Sequence, residues 1–307
     1  MKIGIAGTGR MGTAIAARLL ERGHEVGVWN RTYENTREAR EAGATAAPTP
    51  DELVAGSEVV ISFLLDNAAV ERVYLGTHGL LGGPVEGRLF IDMSTVSPRV
   101  HTRIAPVLAL RNAGFIECPV SGSTAAARSG TLVGFAGGKA PDFVRAQPLL
   151  EELCRRVEHV GPYGAGARMK LAANLLLAVF WQALGEAMFL AYPSSLDPAR
   201  LLDLLADSNI GAGILRARAP QIVSALRGNP PPAAAFDVDT MRKDLRYMAE
   251  EASARASPLP LAKRTLECFD LASREGMGGV DAVGYPAYWI ARQGTAAHDG
   301  ERVRSER

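Results

Sequence analysis

An α/β doubly wound sheet followed by an all-helical domain is the fold the sequence predicts, and three observations predict it. Apolar strand-like runs alternate with amphipathic helical stretches through the first half of the chain. A glycine-rich turn joins the first run to the first helical stretch. After Gly161-Pro162-Tyr163-Gly164 no β-branched alternating run remains, and helical periodicity continues to about Arg292. The length of 307 residues also suggests two domains, as a soft prior.

The predicted strands are 3–6, 25–29, 59–63, 89–92 and 114–117, with a later pair near 132–136 and 156–160. Between them lie helical segments at 13–22, 34–42, 51–55, 68–74, 98–112 and 141–150, while 43–50 and 76–87 are rich in Gly and Pro and read as loops. The first turn is Gly7-Thr8-Gly9-Arg10-Met11-Gly12. In such a turn the first glycine permits the tight bend, the second lets backbone approach a pyrophosphate, and the third lets helix and strand pack closely. The helix that follows offers unpaired N–H groups and a positive dipole end. A G-x-G-x-x-G placed strand–turn–helix–strand within about 30 residues is the mark of a Rossmann-type dinucleotide-binding domain.

The end of the second strand bears on which dinucleotide. An NAD site places Asp or Glu about 20 residues on, where it accepts hydrogen bonds from the ribose hydroxyls. Asn30-Arg31-Thr32 stands there instead, without a carboxylate. Arg31 can offer its planar fork to a 2′-phosphate, with Asn30 and Thr32 as neutral donors, so NADP(H) is expected over NAD(H).

Composition excludes several partners. A formal net charge of +1 gives no reason to expect nucleic acid or an acidic membrane surface. Cys118, Cys154 and Cys268 lack metal-ligand or disulfide-framework spacing, so no metal is expected and the thiols fit a reducing cytoplasm. Met1-Lys2 runs directly into a strand, leaving no room for a signal peptide. Residues 171–192 are long and apolar enough to resemble a membrane span, but Asn174, Gln182 and Glu186 interrupt them. They read as the central helix of the second domain, buried in a core or in a homodimer or homotetramer interface. The domains expected are 1–162 for the dinucleotide, 163–292 for substrate and oligomerisation, and a flexible tail at 293–307.

Four further segments carry chemistry. Glu117-Cys118-Pro119-Val120-Ser121-Gly122-Ser123-Thr124 ends a predicted strand; its small residues can form an anion nest for a carboxylate, or an ordinary turn. In Gly164-Ala165-Gly166-Ala167-Arg168-Met169-Lys170-Leu171-Ala172-Ala173-Asn174, Lys170 and Asn174 stand four apart and share a helix face. Burial could tune Lys170 toward proton transfer, although a lone lysine at a helix start more often reaches solvent. Arg242-Lys243-Asp244-Leu245 reads by itself as a solvated helix face. Asp92-Met93-Ser94-Thr95-Val96-Ser97-Pro98 closes the fourth strand at the carboxyl edge where such sheets bind ligands, and Ser94 or Ser97 could equally cap the next helix.

Taken in order, these segments resemble the β-hydroxyacid dehydrogenase family, which includes 3-hydroxyisobutyrate dehydrogenases and glyoxylate/succinic semialdehyde reductases. The resemblance runs from Met1 to roughly Trp289 and rests on the glycine loop, Asp92 to Pro98, Pro119-Val120-Ser121-Gly122, Gly164-x-Gly166-x-x-x-Lys170-x-x-x-Asn174 and Lys243-Asp244. It implies Lys170 as the catalytic acid/base, and Ser121, Gly122, Ser123 and Asn174 as binders of a small carboxylate substrate. It further implies cofactor contacts from Gly7, Thr8, Gly9, Arg10, Met11, Gly12, Asn30, Arg31, Thr32, Leu64, Leu65, Thr95 and Lys243. The activity implied is NADP(H)-dependent interconversion of a small hydroxy acid and its aldehyde-acid. The alternatives are an imine reductase or specialised biosynthetic reductase, and a catalytically silent NADP-binding scaffold. Two departures stand out: Ser123 replaces the family's usual second glycine, and Asp66 follows Leu65 where proline is common.

Overall fold

The computed structural model describes residues 1–191, 196–208, 213–231, 233–234 and 236–292, without the side chains of 189 and 190. The tail expected at 293–307 lies outside the described residues. The chain divides into two compact units, Met1–Ala172 and Ala173–Arg307.

The first unit is built on nine strands: β1 (Lys2–Ala6), β2 (Glu25–Trp29), β3 (Thr45–Ala46), β4 (Val59–Ser62), β5 (Leu89–Asp92), β6 (Gly114–Glu117), β7 (Val120–Ser121), β8 (Leu132–Gly138) and β9 (Cys154–Gly161). Their order is β3-β2-β1-β4-β5-β6-β8-β7, with β9 paired to β8. The first six strands in that order run parallel, whereas β8 is antiparallel to both β6 and β7. Parallel strands need crossovers, and helices supply them: α1 (Arg10–Glu21), α2 (Arg37–Glu41), α3 (Pro50–Ala55), α4 (Asn67–Leu75) and α5 (Pro98–Leu110), while α6 (Thr124–Ser129) joins the antiparallel β7 and β8 and α7 (Ala140–Leu153) joins β8 to the parallel β9.

Helices on both faces bury both sets of alternating side chains. Ile3, Ile5, Val59, Ile61 and Ile91 belong to one apolar cluster, and Val60, Phe90 and Phe115 to another. Strand order reverses between β1 and β4, and the crevice at their carboxyl ends is where an open sheet of this kind binds ligands.

The alternating α/β plan is borne out; its small elements differ from expectation. β3 lies within the expected loop 43–50 and is held by pairing Gly27 with Thr45 and Val28 with Ala46. β7 and α6 likewise fall in the expected small-residue loop. Two-residue strands carry no period of their own and form because a neighbouring edge offers hydrogen bonds, so local pattern does not announce them.

The long helix α8 (Ala165–Ala191) begins in the first unit and supplies the second. By length and composition alone, Ala165–Met188 would suffice to cross a membrane. In the second unit its Trp181, Leu184 and Met188 are buried. So is Gln182, whose Oε1 accepts from Tyr285 Oη at 2.9 Å while its Nε2 donates to Glu186 at 2.7 Å. The remaining helices are α9 (Pro198–Asp207), α10 (Gly213–Leu226), α11 (Val238–Ala254) and α12 (Pro260–Ala272), with a core of residues such as Leu202, Ile222, Leu245 and Phe269. The domain boundary was expected at 162/163; the compact units divide at 172/173, with Gly166 N–H in the first donating to Glu117 Oε1.

Candidate active site

The glycine loop follows β1 directly. Gly7 stands at φ +103°, and its N–H donates to the Trp29 carbonyl at 2.8 Å. A Cβ on Gly12 would run into the Gly7 carbonyl oxygen, so the start of α1 lies against the loop as only glycine allows. Gly9 faces open space and caps α1 without a side-chain bond. A helix N-terminus with exposed N–H groups beside that space suits a pyrophosphate. Arg10 is exposed and Met11 half-buried at the same helix start. These residues fit a dinucleotide.

Neighbouring residues brace this loop. Asn30 Oδ1 accepts from Thr8 N–H at 3.2 Å, and Asn30 Nδ2 donates to the Thr32 carbonyl at 2.9 Å. Thr8 Oγ1 donates to the Asn35 carbonyl at 3.0 Å. Asn30 therefore ties two loops together. Arg31 and Thr32 are exposed beside it.

The loop after β4 joins the one after β5. Leu64 N–H donates to Ser94 Oγ at 2.8 Å, and Ser94 Oγ donates to Asp92 Oδ1 at 2.7 Å. Ser94 is thus a loop tie, not a helix cap; Ser97 precedes α5 but gives it no side-chain bond. Leu65 is 68% exposed and Thr95 half-buried. Asp66 caps α4, accepting from Ala69 N–H at 2.7 Å, which removes it as a charge aimed at ligands.

The expected anion loop is partly strand. Ser121 pairs with Val133 in the β7–β8 ladder, Gly122 turns the chain, and Ser123 caps α6 by accepting from Ala126 N–H at 3.3 Å. Ser121 is half-buried, and Gly122 and Ser123 are exposed. The Ser123 oxygen, read as a possible substrate group, therefore has a local structural partner. Cys118 is fully buried, and burial pushes its thiol well above the ordinary range, with nearby Cys154 and Glu117 adding to the effect; it is no thiolate nucleophile.

Lys170 is half-buried on α8, one turn beyond Gly166. The Gly166 N–H donates to Glu117 Oε1 at 2.8 Å. A Cβ on Gly166 would collide with the Phe135 carbonyl oxygen, so the close approach of helix to sheet requires glycine there. One further turn along the same face, Asn174 is buried in the second unit, and its Nδ2 donates to Asp244 Oδ2 at 2.6 Å. Asp244 is also buried, and its Oδ1 lies 3.1 Å from Lys243 Nζ, which sits 5.4 Å from the Tyr247 ring centre. Lys243 is thus a partly buried ion pair, where the sequence alone suggested a solvated helix face.

Sequence reasoning gave no part to Asp244, His101 or Glu117. Asp92, His101 and Glu117 are fully buried together: His101 Nε2 lies 2.7 Å from Asp92 Oδ2, and Nδ1 faces Glu117 Oε2. Burial alone would push the imidazole down. The Glu117 charge and the bonds to both carboxylates outweigh it and bring His101 up to about 10. No motif signals this group; only the presence of ionisable residues at the ends of two apolar strands hints at it.

Comparison with known proteins agrees with the geometry. Residues 2–161 match the family model for the NAD binding domain of 6-phosphogluconate dehydrogenase, and 164–285 that for the NAD-binding region of NADP-dependent 3-hydroxyisobutyrate dehydrogenase. The chain belongs to the β-hydroxyacid dehydrogenase family. It is 34% identical to a 3-hydroxyisobutyrate dehydrogenase of Pseudomonas aeruginosa, covering 88% of this chain and 91% of that one. Identity to glyoxylate/succinic semialdehyde reductase 1 of Arabidopsis thaliana is 32%, covering 92% and 96%. The solved structure of Mycobacterium tuberculosis 3-hydroxyisobutyrate dehydrogenase with L-serine superposes with a TM-score of 0.80 at 26% identity, covering 93% and 97%. As a member of this family, the chain is an NAD(P)-binding oxidoreductase of the hydroxyacid dehydrogenase type.

Proposed function

We propose that this oxidoreductase uses NADP(H) to interconvert a small hydroxy acid and its aldehyde-acid, with Lys170 as general acid and base. One observation carries the reading: Lys170 stands half-buried one turn above the point where α8 is pinned to the sheet by Gly166 and Glu117. A proton donor is useful only where its distance to the reacting oxygen is fixed, and a pinned helix fixes it.

The cofactor supplies a hydride. In this reading Gly7 to Gly12 hold its pyrophosphate at the start of α1, and Arg31 and Thr32 receive the 2′-phosphate. Leu64, Leu65, Thr95 and Lys243 take the remaining cofactor contacts. Ser121 and the backbone of Gly122 and Ser123 hold the substrate carboxylate. In the reductive direction Lys170 is charged and gives its proton to the carbonyl oxygen; in the oxidative direction it is neutral and removes the proton from the hydroxyl. Asn174, with its amide nitrogen committed to Asp244, turns its carbonyl oxygen to orient the lysine or the substrate hydroxyl. The thiols of Cys118, Cys154 and Cys268 are all free, which suits the cytoplasmic location we propose. Leu176, 75% exposed on α8, suits burial in a homodimer or homotetramer, and light scattering that gave a monomer would remove that part.

Lys170→Ala is expected to lower kcat by about a thousandfold or more with NADPH affinity nearly unchanged. Normal kcat in that variant would end the proposal for Lys170. The wild type is expected to oxidise NADPH with at least one of glyoxylate, succinic semialdehyde, methylmalonate semialdehyde and tartronate semialdehyde. Turnover of a cyclic imine alone would make the chain an imine reductase, and turnover of none would make it a silent NADP-binding protein.

A further inference from the structure

The buried charges of the first unit take no step in the reaction above, yet they form one chain of contacts that ends at the catalytic helix. His101 Nε2 lies 2.7 Å from Asp92 Oδ2 and its Nδ1 faces Glu117 Oε2 as an ion pair, so the protonated ring is a cation between two carboxylates. Asp92, at the end of β5, continues the chain on one side. Its Oδ1 accepts from Ser62 Oγ at 2.6 Å and Ser94 Oγ at 2.7 Å, and Ser94 carries the Leu64 amide. Glu117, at the end of β6, continues it on the other through the Gly166 amide. Among the described residues, the Phe115 ring lies with its centre 6.1 Å from that of His101, Tyr74 reaches Asp92 through Ser62, and Cys118 and Tyr163 feel the charge of Glu117.

We propose that His101 is a positioning residue for Lys170: by holding Glu117 against the first turn of α8, it sets the lysine relative to the Leu64–Ser94 loops. The physical basis is the division of labour within Glu117. Its Oε1 accepts from a helix N-terminal N–H, a favourable place for negative charge, while Oε2 is held by the imidazolium. Without the second contact the carboxylate would be a buried anion with one partner, and it would rotate or draw in water. Gly166 would then lose a fixed acceptor. Lys170, one turn beyond it on the same face, would lose its fixed height. This inference rests on Lys170 being the proton donor.

The test uses the full chain carrying His101→Gln. Glu117→Gln serves as a second variant that keeps an oxygen for Gly166 but removes the charge. Hydrogen exchange of residues 164–171 is measured alongside kcat and KM for NADPH-dependent reduction of glyoxylate and succinic semialdehyde across pH. In His101→Gln we expect exchange in that segment to be about tenfold faster, with β1 and β4 unchanged. We expect kcat to fall about tenfold with KM within about twofold, and the high-pH limb of kcat, where the donor loses its proton, to shift by about half a unit or more. Glu117→Gln should show the same changes at smaller size, and it decides the matter if His101→Gln does not fold. Unchanged exchange at 164–171 in a folded variant overturns the proposal. Exchange that quickens equally everywhere, or faster local exchange with a wild-type kcat and pH profile, also overturns it. If the wild type reduces neither aldehyde, the kinetic arm is run with methylmalonate or tartronate semialdehyde; if it reduces none of the four, the catalytic reading of Lys170 falls on its own, and the exchange result alone supports or overturns the hold of His101 on α8.

Discussion

The glycine loop and the start of α8 are both close approaches of a helix to the same sheet, but they are secured by different forces. At the loop, backbone meets backbone: Gly12 lies against the Gly7 carbonyl, and Gly7 donates to the Trp29 carbonyl. At α8 a similar glycine contact, Gly166 on Phe135, is supplemented by a buried charge chain through Glu117, His101 and Asp92. A loop that must hold an anionic ligand with its own N–H groups has no use for nearby carboxylates. On the proposed reaction, a helix that holds a proton donor at fixed height gains from an anchor that both charges and hydrogen bonds define. Steric anchoring is insensitive to pH, whereas the charged anchor depends on one proton.

That difference yields the largest expected effect. The folded-state pKa of His101, raised to about 10, lies above the ordinary value of 6.5, so the stability it contributes is complete below pH 6.5 and is lost as pH rises through about 10. Between those limits the contribution should fall by roughly 1 kcal/mol per pH unit in urea titrations of wild type against His101→Gln. A stability difference that stays flat from pH 7 to 9 would show that the ring does not hold the second proton. Gly12→Ala probes the steric anchor. We expect it to cost about 1–3 kcal/mol of stability at every pH and to weaken NADPH binding, because the new methyl must displace the Gly7 carbonyl. A loss that varied with pH in the same way would erase the contrast.

Two smaller changes sharpen the loop side. Arg31→Asp should move preference from NADPH toward NADH, with about 1.5–3 kcal/mol of the charge-assisted bonding to a 2′-phosphate at stake. An unchanged ratio of the two KM values would remove Arg31 from cofactor choice. Asp66→Ala should cost about 1 kcal/mol through loss of the α4 cap, with NADPH affinity nearly unchanged. A large gain in affinity would instead mean that the carboxylate repels the cofactor.

How legible each part was follows from the range of its contacts. Strands β1, β4, β5 and β6 were readable because two-sided burial writes apolar runs, and β2 because its burial alternates. The loop Gly7 to Gly12 was readable because its steric conflicts are between near neighbours. Asn30 and Ser123 could be singled out by type and place, but their oxygens accept from the Thr8 and Ala126 amides, which their types alone do not reveal. Lys243 read as solvated because its partner Asp244 is its sequence neighbour, and adjacency does not show burial.

By itself the sequence determined the alternating α/β plan, the helical second half and the Gly7–Gly12 dinucleotide loop, because periodicity and glycine spacing are local records of burial and steric limits. The family followed from the order of its motifs. Only the tertiary structure brought Asp92, His101 and Glu117 together and set Gly166 on the sheet. Those partners come from separate elements, and the energy of a buried ion group depends on distances and dielectric that no local pattern encodes.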